Sequence, residues 1–342
     1  MSATAPTPRP DRPRRPLPPV EQVRPGLWSI PVPLPAIPRY VLVYVFETDA
    51  GPYLVDTGWD TDEAFDALTA GLAGIGTSVD DVQGVLVTHA HFDHYGLAGR
   101  IRERSGAWVS LHPLDAAALA HYERAPHERR VVVLQAAGAP DDVVEAAARD
   151  IVRAAVRMPR PDVLMEDGDK PHVPGWDLTA VWTPGHSPGH LCFWEDRERL
   201  LLTGDHVLPD TVVVMGEVGD AGPDPLADYL DALDRLARYQ PDEVLPAHEH
   251  RFHGLHHRLD TLRGHHTDKL TAVRTALREL GPATAWDVAA AVTPRRPPAR
   301  LRGFALHAAL VDMLAYLAAL EARGLVSGER RPGRGSRWRA VD

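Results

Sequence analysis

Seven side chains with the chemistry of metal ligands stand at restricted places in this 342-residue sequence. Four fall in one segment, Thr88-His89-Ala90-His91-Phe92-Asp93-His94. Imidazole nitrogen suits zinc, and a carboxylate oxygen completes a harder site. Alternate residues of an extended loop point the same way, so His89 and His91 can face one ion. Asp93 and His94, where the loop tightens into a helix, can reach a second ion nearby. The other three share one context, a strand running into a tight turn: His186 in Thr183-Pro184-Gly185-His186, Asp205 in Thr203-Gly204-Asp205, and His248 in Pro246-Ala247-His248. Strand ends of one sheet system converge on one edge, and the adjoining Gly and Pro permit the sharp turns that aim these side chains.

Together the seven describe a binuclear site. Two metals roughly 3.5–4 Å apart can share one water and lower its pKa towards about 7. The hydroxide so formed attacks a carbonyl carbon or a phosphorus, while the metals polarise the substrate oxygen and hold the leaving group. Asp93 is the candidate catalytic residue, accepting a hydrogen bond from the hydroxide and fixing its direction. No Gly-x-Ser-x-Gly elbow is present to suggest a serine nucleophile. Cys192, in the apolar run Leu191-Cys192-Phe193-Trp194, reads as a small core hydrophobe. His253, five residues after His248, is a candidate substrate contact. His190 reads as a structural or supporting group, and His206 as a neighbour of the site. His256, His257, His265 and His266 read as surface residues of a helix, because adjacent positions point to different faces.

The elements that must position these groups are legible as patterns. Gly26 to Ile30, Tyr40 to Phe46 and Pro52 to Gly58 are β-branched and aromatic, as strands are. Thr61 to Ala73 has helical spacing, with Phe65, Leu68 and Leu72 on one face. Val82 to Val87 is a buried strand leading into the His cluster; Gly96 to Glu103 is a helix and Trp108 to Leu111 a strand. Leu114 to about Arg157 is Ala-rich and charged, and reads as two or three helices inserted between strands. Strands return at Leu178 to Trp182, Leu191 to Trp194, Leu200 to Leu202 and Glu243 to Leu245, with an amphipathic helix over Pro225 to Tyr239. Strands, helices and strands again predict sheets covered by helices rather than strict β-α alternation.

The string His-x-His-x-Asp-His with its three later strand-end ligands resembles the metallo-β-lactamase-fold hydrolase superfamily, over about Gly26 to His257. The resemblance implies an α+β, four-layer αβ/βα sandwich with metals at one edge. It implies that His89, His91 and His186 hold the first metal, that Asp93, His94 and His248 hold the second, and that Asp205 bridges both. Asp56, in Leu54-Val55-Asp56-Thr57-Gly58, matches an Asp that orients ligands from behind. The implied cofactor is two Zn²⁺, although related folds load iron or manganese on the same ligands. A complete second site argues against the one-iron persulfide chemistry of some relatives.

The tail is organised separately. A long helical pattern over Leu255 to Leu280 stops at Gly281-Pro282; Thr284 can cap a short helix over Ala285 to Val292. A second long helix, Arg302 to Arg323, precedes a hairpin-like pair, Leu325 to Ser327 and Ser336 to Ala340. This resembles the small winged-helix domain of the subgroup that includes the animal β-lactamase-like endoribonuclease, on Gly281 to Ala289 and the hairpin. The expected domains are a disordered Pro/Arg-rich leader (1–20), a catalytic domain (21–254, helical insertion about 114–160) and a winged-helix-like domain (255–342).

Charge divides the chain the same way. From Arg251 onward there are 16 Lys and Arg against 8 Asp and Glu; before it there are 21 against 39, a balance of −18. The acidic part and the insertion, which could cap an acyl pocket, favour a small ester, thioester or lactone as substrate. The basic tail favours the alternative, a nuclease or phosphodiesterase holding nucleic acid; a tail that only packs or forms a homodimer is the third reading. No stretch reaches the ~18–20 uninterrupted apolar residues of a membrane span. The leader lacks the apolar block of a secretory signal, and a single cysteine permits no internal disulfide, so the cytoplasm is expected.

Overall fold

The computed structural model describes residues 16–35, 38–122, 126–149, 158–216, 222–331 and 334–341, so most of the leader expected to be disordered lies outside the described residues. A seven-stranded sheet comes first. β1 (Glu21–Arg24), β2 (Leu27–Pro33), β3 (Tyr40–Phe46) and β4 (Tyr53–Val55) pair antiparallel in sequence order. α1 (Asp62–Gly74) then leads to β5 (Gly84–Leu86), followed by α2 (Phe92–Tyr95), α3 (Ala98–Ser105) and β6 (Trp108–Leu111). α4 (Pro113–Tyr122), α5 (Pro126–Ala136) and α6 (Asp141–Arg149) form the inserted helices, after which β7 (Val163–Leu164) closes the sheet. The strands β4 to β7 run parallel.

The second sheet has four strands in the order β11-β10-β9-β8. β8 (Leu178–Trp182), β9 (Leu191–Glu195) and β10 (Leu200–Gly204) are antiparallel, and α7 (Pro225–Leu236) is the crossover that makes β11 (Glu243–Pro246) parallel to β10. The tail contributes α8 (Leu255–Leu280), α9 (Ala285–Val292), α10 (Gly303–Ala322), β12 (Val326–Arg331) and β13 (Arg334–Ala340).

Period-2 alternation sorts the strand residues into layers. Leu42, Tyr44 and Phe46 of β3 meet Leu191 and Phe193 of β9 and Leu200 and Leu202 of β10 in a core between the two sheets. Val41, Val43 and Val45 point the other way, into a core with Leu68 and Leu72 of α1 and Ile101 of α3. Cys192, Trp194, Leu201 and Val244 pass through the second sheet to a third core built from α7, α8, α10 and the inserted α5. The result is helices, sheet, sheet, helices.

Local signals explain the helix ends. The Thr61 side chain accepts the Ala64 N–H and starts α1. Asp224 does the same for Ala227 at α7, where Pro225 is the first helical residue. Thr284 and Asp287 form a reciprocal capping box on α9. The tail helices share the third core with the outer face of the second sheet, and the Trp286 N–H donates to the Ala137 carbonyl across to the insertion, 2.8 Å.

One expectation needs a complement and another a correction. α10 is 20 residues with a mean hydropathy of 1.7, long and apolar enough by composition to cross a membrane, whereas uninterrupted runs had suggested no such segment. His307, Asp312 and Tyr316 interrupt the run without lowering its average much. Half of that window is buried in this fold, where Leu310, Val311, Leu317 and Leu320 join the third core. His266 is not a surface residue: it is 1% exposed, and its Nδ1 lies 2.8 Å from the Tyr316 hydroxyl of α10. The 3.6-residue period alone could not show that α10 covers that face of α8. The edge strands β1 and β7 were not foreseen; both are short and carry little apolar alternation.

Candidate metal centre

All seven anticipated ligands meet at one edge of the sandwich. Three groups form, each with ligand atoms within 4.8 Å of one another: His89, His91 and His186; His89, His94 and Asp205; Asp93, His94 and His248. The loop after β5 presents His89 Nε2 and His91 Nδ1 2.9 Å apart. His91 ends that loop in an extended conformation, and the turn of α2 then carries Asp93 and His94. The turns after β8, β10 and β11 deliver His186, Asp205 and His248. Asp205 faces both sides: its Oδ2 is 3.6 Å from His186 Nε2, and its Oδ1 is 3.5 Å from His94 Nε2 and 3.2 Å from His248 Nε2.

Glycine is required at two of these turns. Gly185 has φ +129°, and a Cβ there would lie 2.5 Å from the Tyr229 Cβ. Gly204 has φ +49°, and a Cβ there would meet His190 Nε2 at 2.7 Å and Thr88 at 2.9 Å.

His89, His94, His186 and His248 are oriented from behind. His94 Nδ1–H donates to Asp56 Oδ2, 2.8 Å. Asp56 Oδ1 also accepts the Thr88 N–H at 2.8 Å, and the Thr88 hydroxyl sits 3.0 Å from His89 Nδ1. Asp56 holds φ +62°, unusual for a non-glycine residue and tolerated by Asp. His248 Nδ1–H donates to the Tyr40 carbonyl at 2.8 Å, and His186 Nδ1–H to the Val214 carbonyl at 2.6 Å. In each of these bonds Nδ1 carries the proton, so Nε2 of His94, His186 and His248 faces inward as the atom that a cation or a second proton would take.

These inward atoms are the test of whether a metal fits. Nε2 of His94, His186 and His248 and Oδ1 of Asp205 are buried and make no hydrogen bond. A buried unsatisfied polar atom costs about 1–3 kcal/mol, and four of them rival a typical domain's whole stability of about 5–15 kcal/mol. Divalent cations would satisfy all four at once, and the donor set of imidazoles and carboxylates is theirs.

The electrostatics agree. Burial, reinforced by neighbouring imidazoles, pulls His91 down to about 3 and His89 well below its ordinary value. Burial also lowers His186, so this group is a set of neutral rings. Burial opposes charge on His94 and His248 too, but Asp205 and Asp93 outweigh it, raising His94 and pushing His248 up to about 10. Burial likewise opposes ionisation of Asp93 and Asp205, yet His94 and His248 hold both carboxyls below the usual carboxylate range.

The remaining candidates separate. His253 is exposed and donates from Nδ1 to the Asp242 carbonyl, 2.5 Å, at the opposite end of β11 from His248. The β-bridge of Phe252 to Val244 turns the chain back along β11 and carries His253 away from the ligand cluster, so the structure does not bring it together with the other candidates. His190 stays outside the three groups, and its Nε2 accepts the Asp205 N–H, 3.3 Å. His206 is buried against the Tyr229 ring, 4.5 Å between centroids. Burial pushes the Cys192 thiol up to about 12, as expected of a core residue.

One supporting residue escaped the sequence. Asp115, fully buried at the start of α4, accepts the Ala90 N–H at 2.8 Å, the Ser187 hydroxyl at 2.9 Å and the Gly189 N–H at 2.6 Å. It clamps the His89–His91 loop to the His186 turn, and burial raises its pKa to about 6. Its position just beyond the end of β6 was the available signal.

Comparisons with known proteins agree with this geometry. A family model described as the metallo-beta-lactamase superfamily matches residues 36–248. A probable metallo-hydrolase of Bacillus subtilis, YqjP, is 27% identical over 236 residues, covering 64% of this chain and 70% of that protein. The crystal structure of a metallo-beta-lactamase family protein from Thermus thermophilus superposes with a TM-score of 0.79 and 30% identity, covering 94% of this chain and all of that one. The acyl-coenzyme A thioesterase MBLAC2 of Gallus gallus is 31% identical over 175 residues, 49% of this chain and 56% of that protein. That superfamily binds divalent metals, and both its signature segment and its strand-end ligands are assembled here: the chain belongs to the metallo-beta-lactamase superfamily and is a metallo-hydrolase.

Proposed function

We propose that the protein hydrolyses a small ester, thioester or lactone with two divalent cations, zinc by preference. The observation that carries the binuclear reading is Asp205, whose two oxygens face opposite ligand groups. His89, His91 and His186 would hold one cation, Asp93, His94 and His248 the other, and Asp205 would serve both. When bound, such a pair supplies Lewis-acid pull on a substrate oxygen and lowers the pKa of water towards about 7.

The chain's own residues set the remaining conditions. Asp93 is held ionised and can accept a proton or a hydrogen bond at its carboxylate. Asp56, Thr88 and the Tyr40 and Val214 carbonyls fix the ring orientations, so little reorganisation accompanies reaction. Beside Asp93, Phe92 and Trp59 are half-buried, with ring centroids 5.5 Å apart, and offer an apolar wall to an acyl group.

Three features support carbonyl over phosphorus chemistry. The first 250 residues carry a balance of −18, which repels a polyanion. A relative that matches 49% of the chain is named an acyl-coenzyme A thioesterase. Arg337 and Arg339 of the terminal hairpin bond inside the molecule, to the Pro282 carbonyl and the Ser327 hydroxyl. The side chains of Arg330, Arg331 and Arg334 lie outside the described residues. We read α8 to α10 with the β12–β13 hairpin as the winged-helix-like unit, here a packing element. The test is turnover of nitrophenyl esters and acyl-thioesters against cleavage of single-stranded RNA, each with and without chelator. Metal-dependent ester or thioester hydrolysis without RNA cleavage supports the proposal. RNA cleavage that weakens steeply with salt would replace it with the nuclease reading.

A further inference from the structure

We propose that Asp312, on the apolar tail helix α10, is a positioning residue for the metal ligand His186, acting through the segment Val214-Met215-Gly216. This rests on the reading of His186 as a metal ligand.

The segment is tied on two sides. The Val214 carbonyl accepts His186 Nδ1–H at 2.6 Å, and the Gly216 N–H donates to the Gly185 carbonyl at 2.7 Å. The intervening Met215 N–H points the opposite way and donates to Asp312 Oδ1 at 2.9 Å. This is the alternation of an extended chain, in which the carbonyl of one residue and the N–H two residues on share a side. Residues 214 and 216 grip the ligand turn, and residue 215 is gripped from behind.

The grip comes from a well-fixed place. Asp312 lies between Val311 and Met313, both buried in the third core, on a helix packed against α5, α7 and α8. A carboxylate is costly in such surroundings. Burial raises the Asp312 carboxyl to about 7, and its Oδ1 can accept the Met215 N–H whether or not the group is ionised. A partner that orients a ligating histidine typically contributes about 10–100-fold in metal affinity. The Val214 carbonyl is that partner for His186, and Asp312 sets where the carbonyl stands. The tail would thereby complete the first metal group without touching metal or substrate.

Cobalt(II) titration of the full-length apo-protein, followed by visible absorption, tests this without reference to turnover. Wild type should take two equivalents. Asp312→Leu should weaken one equivalent by about tenfold and leave the other unchanged. The weakened equivalent should be the one that His186→Ala abolishes. Asp312→Asn keeps an acceptor oxygen and should restore most of the affinity. If circular dichroism shows Asp312→Leu unfolded, Met215→Pro, which deletes the donor instead, takes its place with the same expected result. Unchanged binding of both equivalents, equal weakening of both, or an Asn variant as impaired as Leu would each overturn the inference. So would failure of both variants to fold, since Asp312 would then belong to the fold alone. A wild-type protein that takes no cobalt removes the metal reading itself; two equivalents with an unaffected Asp312→Leu removes only the role of Asp312.

Discussion

The two ligand groups sit side by side and use the same ring, yet they are electrostatic opposites. His89, His91 and His186 are driven neutral by burial and by each other. His94 and His248 are driven towards the protonated state by Asp93 and Asp205. Their supports cut across that division. His94 rests on a carboxylate, Asp56, whereas His186 and His248 rest on backbone carbonyls. The second group can balance its own charges with protons. The first contains no carboxylate of its own; Asp205 Oδ2 stands 3.6 Å from its His186 Nε2, and Asp93 acts on His91 and His186 as well. Burial sets the baseline, and the number of carboxylates within a few ångströms decides the sign.

The comparison breaks most completely at Asp205, whose two oxygens face both groups. Asp205→Ala should leave at most one bound metal by plasma mass spectrometry and lower turnover more than about a thousandfold, the equivalent of about 4 kcal/mol of lost charge stabilisation. Retention of two metals would show that the groups are independent. Asp56→Ala sharpens the contrast between supports. In a competition with a chelating dye it should weaken the equivalent held through His94 by about 10–100-fold and the all-histidine one less, because Asp56 reaches His89 only through Thr88.

Histidines outside both groups should give smaller effects, and His266 shows the sign for a ring without carboxylates. Burial pulls it down to about 4, from an ordinary 6.5. The folded form therefore holds it neutral, while the unfolded chain binds a proton below pH 6.5. Stability contributed by this ring is present above that pH and is lost as pH falls towards 4, by about 3 kcal/mol. Urea unfolding between pH 4 and 7 should show a shallower slope for His266→Phe. Least of all, His253→Ala should change stability by no more than about 0.5 kcal/mol and leave kcat and KM as they are.

What was legible in the sequence follows from how each feature is encoded. The ligands were legible because metal chemistry admits few residue types and strand ends place them in short motifs. The strands β3, β8, β9 and β10 were legible because their alternation satisfies two cores at once, as Leu200 and Leu202 against Leu201 illustrate. Asp115 was not, because its three partners come from two loops about 25 and 75 residues away. His266 was misread because only α10, fifty residues on, makes its face of α8 an interior. The Val214 and Tyr40 carbonyls carry no side-chain signal at all, since backbone groups are present at every residue.

The alternation through β10 has a further consequence for how this sequence tolerates change. Leu200 and Leu202 face the inner core, Leu201 the outer one, and the strand ends at Gly204 with Asp205 next. A slip of one residue would exchange the two cores and simultaneously redirect Asp205, whose oxygens face His186 on one side and His94 and His248 on the other. Packing errors and catalytic errors in this strand are thus the same error. An insertion or deletion there cannot yield a stable but inactive protein, so length changes should be confined to the loops that carry no ligand.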